Sequence, residues 1–489
     1  MKKTKSADIG LIGLAVMGAN LARNIAGKKF SIVVYNRTTE RTNEFIKEFG
    51  HKYLSAENNL KDFVATLKIP RKIIIMVKAG EPVDEMITQL IPLLSKNDII
   101  IDCGNSNYND TKRRNLNLKK HGLNFVGCGV SGGEEGALHG PSIMPGGDKQ
   151  AVDKILPILQ KIAAKDFSGK PCVTYIGENG AGHYVKMVHN GIEYGVMQMM
   201  AEAYEMLRTV HKLPAPKIAK IFQKFNQGKL KSYLFEIAVE VLNKKDEFKK
   251  GWLIDHILDK AGQKGTGQWT GIDSLTRAVS LPTITEAVYA RINSGEKTRR
   301  LKISKLYPLP KPTKKIPLQK FTKLLEDALY AGMLSSYAQG YTLIKKTAFE
   351  ESWKINLAEV SRIWEGGCII RAKILNDLHK AFAKNSNLHL FEIPSLAKTL
   401  KSTAPSLRTV VSYATASGIP IPSLATAQSY FESMRSANLS ANFIQGLRDY
   451  FGAHTYERTD KKGIFHTHWN GYNSKHKTWN YIGQNNPSY

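Results

Sequence analysis

ADIGLIGLAVMGANLARNIA, running from Ala7 to Ala26, is the stretch that decides the fold. Residues 7–14 read as a short buried strand. Gly13, Leu14, Ala15, Val16, Met17 and Gly18 form a glycine-bounded turn, and a helical pattern follows from Ala19 to Ala26. Strand, glycine turn and helix are the context a dinucleotide fingerprint requires. Glycine permits the tight turn and the close approach of a pyrophosphate, and the helix start offers free N–H groups and a positive dipole end. Ala15 stands where the second glycine usually falls, so this is a variant fingerprint.

Working outward, Ser31–Tyr35 is a β-branched strand that ends at Asn36, Arg37 and Thr38. A domain that prefers NAD places an acidic side chain here for the ribose 2′-hydroxyl. A guanidinium and a hydroxyl instead suit a 2′-phosphate, so the expected cofactor is NADP. Strands at 72–77 and 98–102 end in Lys78-Ala79-Gly80 and Cys103-Gly104-Asn105-Ser106. A further strand, 124–130, leads into Ser131-Gly132-Gly133, and a second glycine-rich stretch spans 140–147. Open parallel sheets bind ligands at these strand ends. The predicted fold is an α/β Rossmann-type nucleotide domain over residues 1–179, a large all-α domain over 180–436 and a C-terminal tail over 437–489.

His183–Tyr204 has helical length. Lys186, His189, Asn190, Glu193 and Tyr194 fall at i, i+3, i+4, i+7 and i+8, which places them on one face. The face offers a base, an acid, an imidazole, an amide and a phenol. An inert polar face would show the same spacing, so the rest of the chain must distinguish them. Between 180 and 436, helical periodicity covers 215–225, 232–242, 321–342, 356–363, 369–383 and 406–416.

The chain has 489 residues, enough for two to four domains, and a net charge of +28. Such a field favours anionic partners. No long basic run or RNA-binding motif accompanies it, so no specific nucleic-acid partner is expected. Four cysteines, Cys103, Cys128, Cys172 and Cys368, lie far apart with no metal spacing; reduced thiols in a cytoplasmic enzyme, without a metal, are the expectation. MKKTK before an apolar stretch imitates a secretory signal, but Asp8 and the spaced glycines argue otherwise. No apolar run reaches about 18 residues, so no membrane span is expected.

An ordered series of motifs then carries a resemblance. It comprises GLAVMG at 13–18, NRT at 36–38, MVKAG at 76–80, GNS at 104–106, GVSGGEEGA at 129–137 and GPSIMPGG at 140–147. GAGHYVKMVHNGIEYG at 180–195, KGTG at 264–267, SYAQG at 336–340, GCIIRA at 367–372 and RDYFGAHTYE at 448–457 continue it. The chain resembles the decarboxylating 6-phosphogluconate dehydrogenases from about residue 8 to Trp469. The resemblance implies oxidation of 6-phosphogluconate by NADP⁺ to ribulose 5-phosphate and CO₂, in the oxidative branch of the pentose phosphate pathway. It implies Lys186 as general base and Glu193 as general acid. It places the nucleotide along residues 13–18 and 36–38, with Val77, Lys78, Ala79 and Asn105. Asn105, Ser131, Gly132, Gly133, His189 and Asn190 would take the substrate carboxylate and hydroxyls. Tyr194, Lys264, Arg291 and Arg448 would take the phosphate, with His454 joining from the tail. A homodimer whose tails cross to the partner is also implied. Val196 and the proline-free stretch Ala437–Ser440 depart from the family pattern without removing a proposed catalytic group. Non-decarboxylating β-hydroxyacid dehydrogenases share the nucleotide domain but lack the long C-terminal half. A basic nucleic-acid binder on this fold would have no use for the set of site residues.

Overall fold

The computed structural model describes residues 6–308, 310 and 315–469. The basic cluster Lys2–Lys5, most of the Pro308–Pro312 connection and the extension past Trp469 lie outside them. The chain divides into two compact units, Met1–Gln428 and Ser429–Tyr489.

The first unit opens with a seven-stranded sheet. Its strands are β1 (Ile9–Ile12), β2 (Ile32–Tyr35), β3 (Leu54–Ala56), β4 (Lys72–Ile75), β5 (Ile99–Asp102), β6 (Asn124–Ser131) and β7 (Ser142–Gly147). Their order is β3-β2-β1-β4-β5-β6-β7, parallel except for β7, which runs antiparallel to β6. Consecutive residues point to opposite faces, and apolar clusters form on both. Leu11, Ile74 and Ile101 pack against Leu21, Ile25 and Leu159 on one side, while Ile12, Ile73 and Ile100 pack with Phe63, Val83 and Leu118 on the other. Burial on both faces explains why these strands are continuous runs of isoleucine and valine. The chain reverses direction across the sheet between β1 and β4, which brings the loops after those strands together. A Cβ on Gly13 would stand 2.5 Å from the Met76 carbonyl oxygen.

Two strands were not apparent in the sequence. β3 has three residues on the sheet edge, too few to show alternation. The glycine-rich stretch 140–147 contains β7, with Pro145 opposite Cys128. β7 is the other edge, where a residue lacking N–H is tolerated.

The helical part begins with Ala181–Glu205, a 25-residue helix. Its first turn lies directly on the sheet. A Cβ on Gly182 would fall 2.3 Å from the Gly127 carbonyl oxygen and 2.4 Å from that of Met144. Val185, Met187, Val188, Ile192, Val196 and Met199 are at most 1% exposed, each contributing about 1.5–3 kcal/mol by burial. Helix Leu318–Glu350 lies alongside, with Gly340 against Ile192 and Gly332 against Met199. Helices also cover Ala215–Phe225, Tyr233–Asn243, Leu357–Ile363 and Pro394–Ala416, close to the expected segments. The last starts twelve residues before the expected 406 and continues through Pro405. Residues 369–373 form a turn, and the expected helix there starts only at Ile374. Among the described residues, no helix is long and apolar enough to cross a membrane.

The second unit contains helix Ala441–Gly452 and a small antiparallel hairpin, β8 (Tyr456–Glu457) with β9 (Ile464–Phe465).

The seat of the Ala181–Glu205 helix is testable. Gly182→Ala, which collides with backbone, should cost about 3 kcal/mol in denaturant unfolding. Gly27→Ala, with nothing within 4 Å of the new methyl, should be neutral or stabilising by up to about 1 kcal/mol.

Candidate active site

Lys186, His189, Asn190 and Glu193 share one face of the Ala181–Glu205 helix and are linked. Lys186 is 5% exposed. Its Nζ lies 2.5 Å from Asn190 Oδ1 and 3.3 Å from His189 Nδ1. His189 is fully buried, with Nδ1 3.0 Å from Asn190 Oδ1 and Nε2 3.3 Å from Ser131 Oγ. An imidazole with its proton on Nδ1 satisfies both contacts, donating to the amide oxygen and accepting from the hydroxyl. Burial and the adjacent Lys186 ammonium hold this ring well below its ordinary pKa, favouring the neutral form. Asn190 Nδ2 donates to Thr266 Oγ1 at 3.2 Å, and Glu193 Oε2 stands 4.0 Å from His189 Nδ1.

Lys186 and Glu193 are pushed in opposite directions. Burial lowers the lysine pKa, while Glu193 and Cys368 act to raise it. Burial raises the glutamate pKa, while Lys186 and Arg291 act to lower it. Both groups move toward their neutral forms, as a general base and a general acid require. Room for the lysine stem comes from β6, where a Cβ on Gly129 would stand 2.4 Å from Lys186 Cβ. All four cysteines are buried. Burial pushes the Cys368 and Cys172 thiols up to about 12.

Ser131 ends β6, and Gly132 (φ +131°) and Gly133 (φ +63°) follow in conformations that favour glycine. Gly132 also passes the Gly367 carbonyl so closely that a Cβ would come within 2.7 Å of its oxygen. Tyr194 is buried beneath Arg291, whose guanidinium carbon is 3.4 Å from the ring centroid. Arg291 Nη1 donates to the Gly262 carbonyl at 3.3 Å, which ties it to the loop carrying exposed Lys264. Asn105 is exposed on the loop after β5. Arg448 and His454 belong to the second compact unit.

The residues around the fingerprint fit a dinucleotide. Ala15 caps the helix Val16–Gly27, whose first turn has no acidic residue. A Cβ on Gly18 would lie 1.9 Å from the Gly13 carbonyl oxygen. Asn36 Oδ1 accepts from the Leu14 N–H at 3.1 Å, fixing the turn against the end of β2. Arg37, Thr38 and Lys78 are exposed beside it, with Met17, Val77 and Ala79 partly so. Asn36, Arg37 and Thr38, directly after β2, bear no carboxylate, in keeping with a 2′-phosphate.

Sequence reasoning missed three contributors. Thr266 was quoted only as part of KGTG, yet it holds Asn190. Gly129 gave no signal beyond being a glycine in a strand. Arg114, whose side chain is 1% exposed, donates to Asp84, to the Gly80 carbonyl and to Ser106 Oγ. It thereby joins the loop after β4 to the loop after β5, a link between residues about thirty positions apart that no local pattern reveals. Among the described residues, no cluster of three His, Cys, Asp or Glu could hold a metal.

A doubly wound nucleotide fold with a variant dinucleotide fingerprint, leading into a helix that carries a buried lysine and a partly exposed glutamate, fits a dinucleotide-linked dehydrogenase. The comparisons narrow this. The family model described as the NAD binding domain of 6-phosphogluconate dehydrogenase matches residues 8–177, and that of the 6-phosphogluconate dehydrogenase C-terminal domain matches 182–469. The chain is 49% identical over 465 residues to a decarboxylating 6-phosphogluconate dehydrogenase of Lactococcus lactis, covering 95% of this chain and 98% of that one. It is 50% identical over 466 residues to an NADP(+)-dependent, decarboxylating 6-phosphogluconate dehydrogenase of Bacillus subtilis, covering 94% and 99%. A Plasmodium falciparum 6-phosphogluconate dehydrogenase, solved in apo form and in complex with its cofactor NADP+ and its substrate 6-phosphogluconate, superposes with a TM-score of 0.91. It is 44% identical and covers 94% of this chain and 100% of its own. The chain belongs to the 6-phosphogluconate dehydrogenase family.

The coupling within the pair has a defined sign. The Lys186 charge lowers the Glu193 pKa, so Lys186→Met should move the Glu193 titration to higher pH. Carbon-13 NMR of labelled glutamate would follow it, and a downward shift would contradict the electrostatic account.

Proposed function

We propose that the chain oxidises 6-phosphogluconate at C3 and decarboxylates the product to ribulose 5-phosphate, with NADP⁺ reduced to NADPH. The observation that carries this reading is the pair of oppositely shifted groups, Lys186 and Glu193, on one helix face. The activity printed for the Lactococcus and Bacillus relatives and the ligands printed for the Plasmodium structure support it.

Neutral Lys186 takes the proton of the C3 hydroxyl. Bound NADP⁺ supplies the hydride acceptor. The resulting 3-keto acid loses CO₂, because a ketone β to the carboxylate accepts the electrons that are released. Lys186 returns its proton to the C3 oxygen, so that an enediol remains. Protonated Glu193 then gives its proton to the neighbouring carbon, C2 of the substrate and C1 of the product, as Lys186 takes the enol proton back. Asn105, Ser131, the Gly132–Gly133 backbone, neutral His189 and Asn190 hold the carboxylate and hydroxyls and stabilise the developing enolate. Lys264 and Arg291, with the Tyr194 phenol, receive the phosphate. On the cofactor side, residues 13–18 hold the pyrophosphate and Asn36, Arg37 and Thr38 the 2′-phosphate, with Val77, Lys78, Ala79 and Asn105 completing the site.

The proposal includes a cytoplasmic homodimer. Within the first unit, Met197, Val241, Leu258, Ile272 and Leu275 are 41–76% exposed, and an apolar groove of about 360 Å³ runs past Met197 and Val241. Such surface is suited to a second copy. The tail, residues 437–489, would reach the other copy, bringing Arg448 and His454 to its substrate phosphate. Residues 1–179 then serve the nucleotide, and 180–436 the substrate and dimer.

Purified protein given 6-phosphogluconate and NADP⁺ should release NADPH and CO₂ in equal amounts; reduction without CO₂ would overturn decarboxylation. Lys186→Met and Glu193→Gln should each lower kcat by about 10²–10⁴-fold. Arg37→Ala should raise KM for NADP⁺ much more than for NAD⁺, and equal losses would contradict its 2′-phosphate role.

A further inference from the structure

Helix Ala441–Gly452 is exposed along nearly its whole length, and Asp449 is its one buried residue. A buried carboxylate needs donors to offset its lost hydration. Asp449 has four. Oδ1 accepts from the Thr455 N–H at 2.9 Å and pairs with His466 Nδ1 at 2.9 Å. Oδ2 accepts from the Thr467 N–H at 2.9 Å and from Trp469 Nε1 at 2.8 Å. Burial alone would raise its pKa, but these bonds hold it below the ordinary carboxylate value.

The four donors come from two later segments, 455 and 466–469, which the carboxylate binds to the last turn of the helix. The chain leaves the helix through a strained turn. Ala453 (φ +50°) and Thr455 (φ +61°) both adopt the left-handed region without being glycine, at a cost on the order of 1 kcal/mol each. Asp449 holds both. Its carbonyl accepts from the Ala453 N–H at 3.0 Å and its carboxylate from the Thr455 N–H. His454 sits between the strained residues, folded back over Gly452, where a Cβ would meet its Nε2 at 2.6 Å. Gln445 completes the arrangement. Its Oε1 accepts from Arg448 Nη1 at 3.1 Å, while its Nε2 donates to the Thr455 carbonyl at 2.5 Å. Arg448 and the peptide of His454 thus hang from one scaffold.

We infer that Asp449 is a positioning residue, which sets Arg448 and His454 at a fixed separation as a preformed clamp for a phosphate dianion. This rests on the reading above that the pair binds the substrate phosphate. A clamp built in this way costs little ordering entropy when the anion arrives.

The test compares 6-phosphogluconate with gluconate, which lacks the phosphate, in the full-length enzyme. Asp449→Asn removes the negative charge and replaces one acceptor oxygen with an amide that donates, so donors that met that oxygen lose their acceptor. It should lower kcat/KM for 6-phosphogluconate by about 10–100-fold, chiefly through KM, while leaving kcat/KM for gluconate and KM for NADP⁺ within about twofold. Added to an Arg448→Ala, His454→Ala double variant, it should have little further effect. A loss shared equally by both substrates would mean a merely structural role and overturn the inference. If Arg448→Ala itself leaves the preference for the phosphorylated substrate intact, the phosphate reading fails. If Arg448→Ala abolishes that preference and Asp449→Asn does not, the inference alone fails. Trp469→Phe removes a single donor and covers the case in which Asp449→Asn does not fold. It should shift the preference in the same direction by a smaller factor, and an unchanged preference there counts against the clamp.

Discussion

The contact on which the rest of the site depends is between backbones. The Ala181–Glu205 helix meets β6 and β7 at Gly182, with no side chain intervening. A single methyl group there would push the helix away from the sheet, and Lys186, one turn further on, would move with it. Gly129 then admits the lysine stem against β6, and Ser131, two residues along the same strand, reaches His189. Sheet and helix therefore determine the relative positions of Lys186, His189 and the loop after β6 before any ligand arrives. Interiors packed at this density transmit displacement poorly tolerated by chemistry that requires fractions of an ångström.

Burial also sets the electrostatics. A lysine and a glutamate about two helical turns apart attract one another, and each stabilises the charge on the other. Removal from water works against both charges, and in each case it is the larger influence. The consequences for folding have opposite signs. A lysine whose folded pKa lies below its unfolded value favours the fold as pH rises toward that unfolded value. A glutamate whose folded pKa is raised favours it at low pH, and that contribution is lost as pH rises through the folded value. Both shifts run toward the neutral form, and the desolvation behind them is a cost met by the apolar residues between the two groups.

The nucleotide fold was legible because its signals are local. Gly13 and Gly18 flank a turn between a strand and a helix, and Arg37 follows a strand where an acid might stand. The face of the Ala181–Glu205 helix could be read from a spacing of 3.6 residues. What escaped was non-local or too short. β3 is three residues long, and β7 is hidden by Pro145, by Gly146, which abuts Gly182, and by Gly147, which abuts the Phe125 carbonyl. Thr266 and Arg114 act on residues far away in sequence. The opposed pKa shifts depend on burial, which no motif states. Arg448 and His454 could be named only by resemblance, while the carboxylate between them in the chain's C-terminal unit became visible only with its four donors in place.

The buried cysteines have a bearing on the setting in which such an enzyme works. Cys368 lies close enough to Lys186 to affect its charge, and in water its sulfur would be an easy target beside an ammonium. Here burial pushes the thiol up to about 12, which leaves little of the reactive thiolate at neutral pH. Cys172 is held likewise. Peroxide and alkylating agents attack thiolates that they can reach, and these sulfurs offer neither charge nor access. Modification of Cys172 or Cys368 therefore has to wait for the fold to open, so the rate of thiol labelling reports how often the interior around Lys186 is exposed.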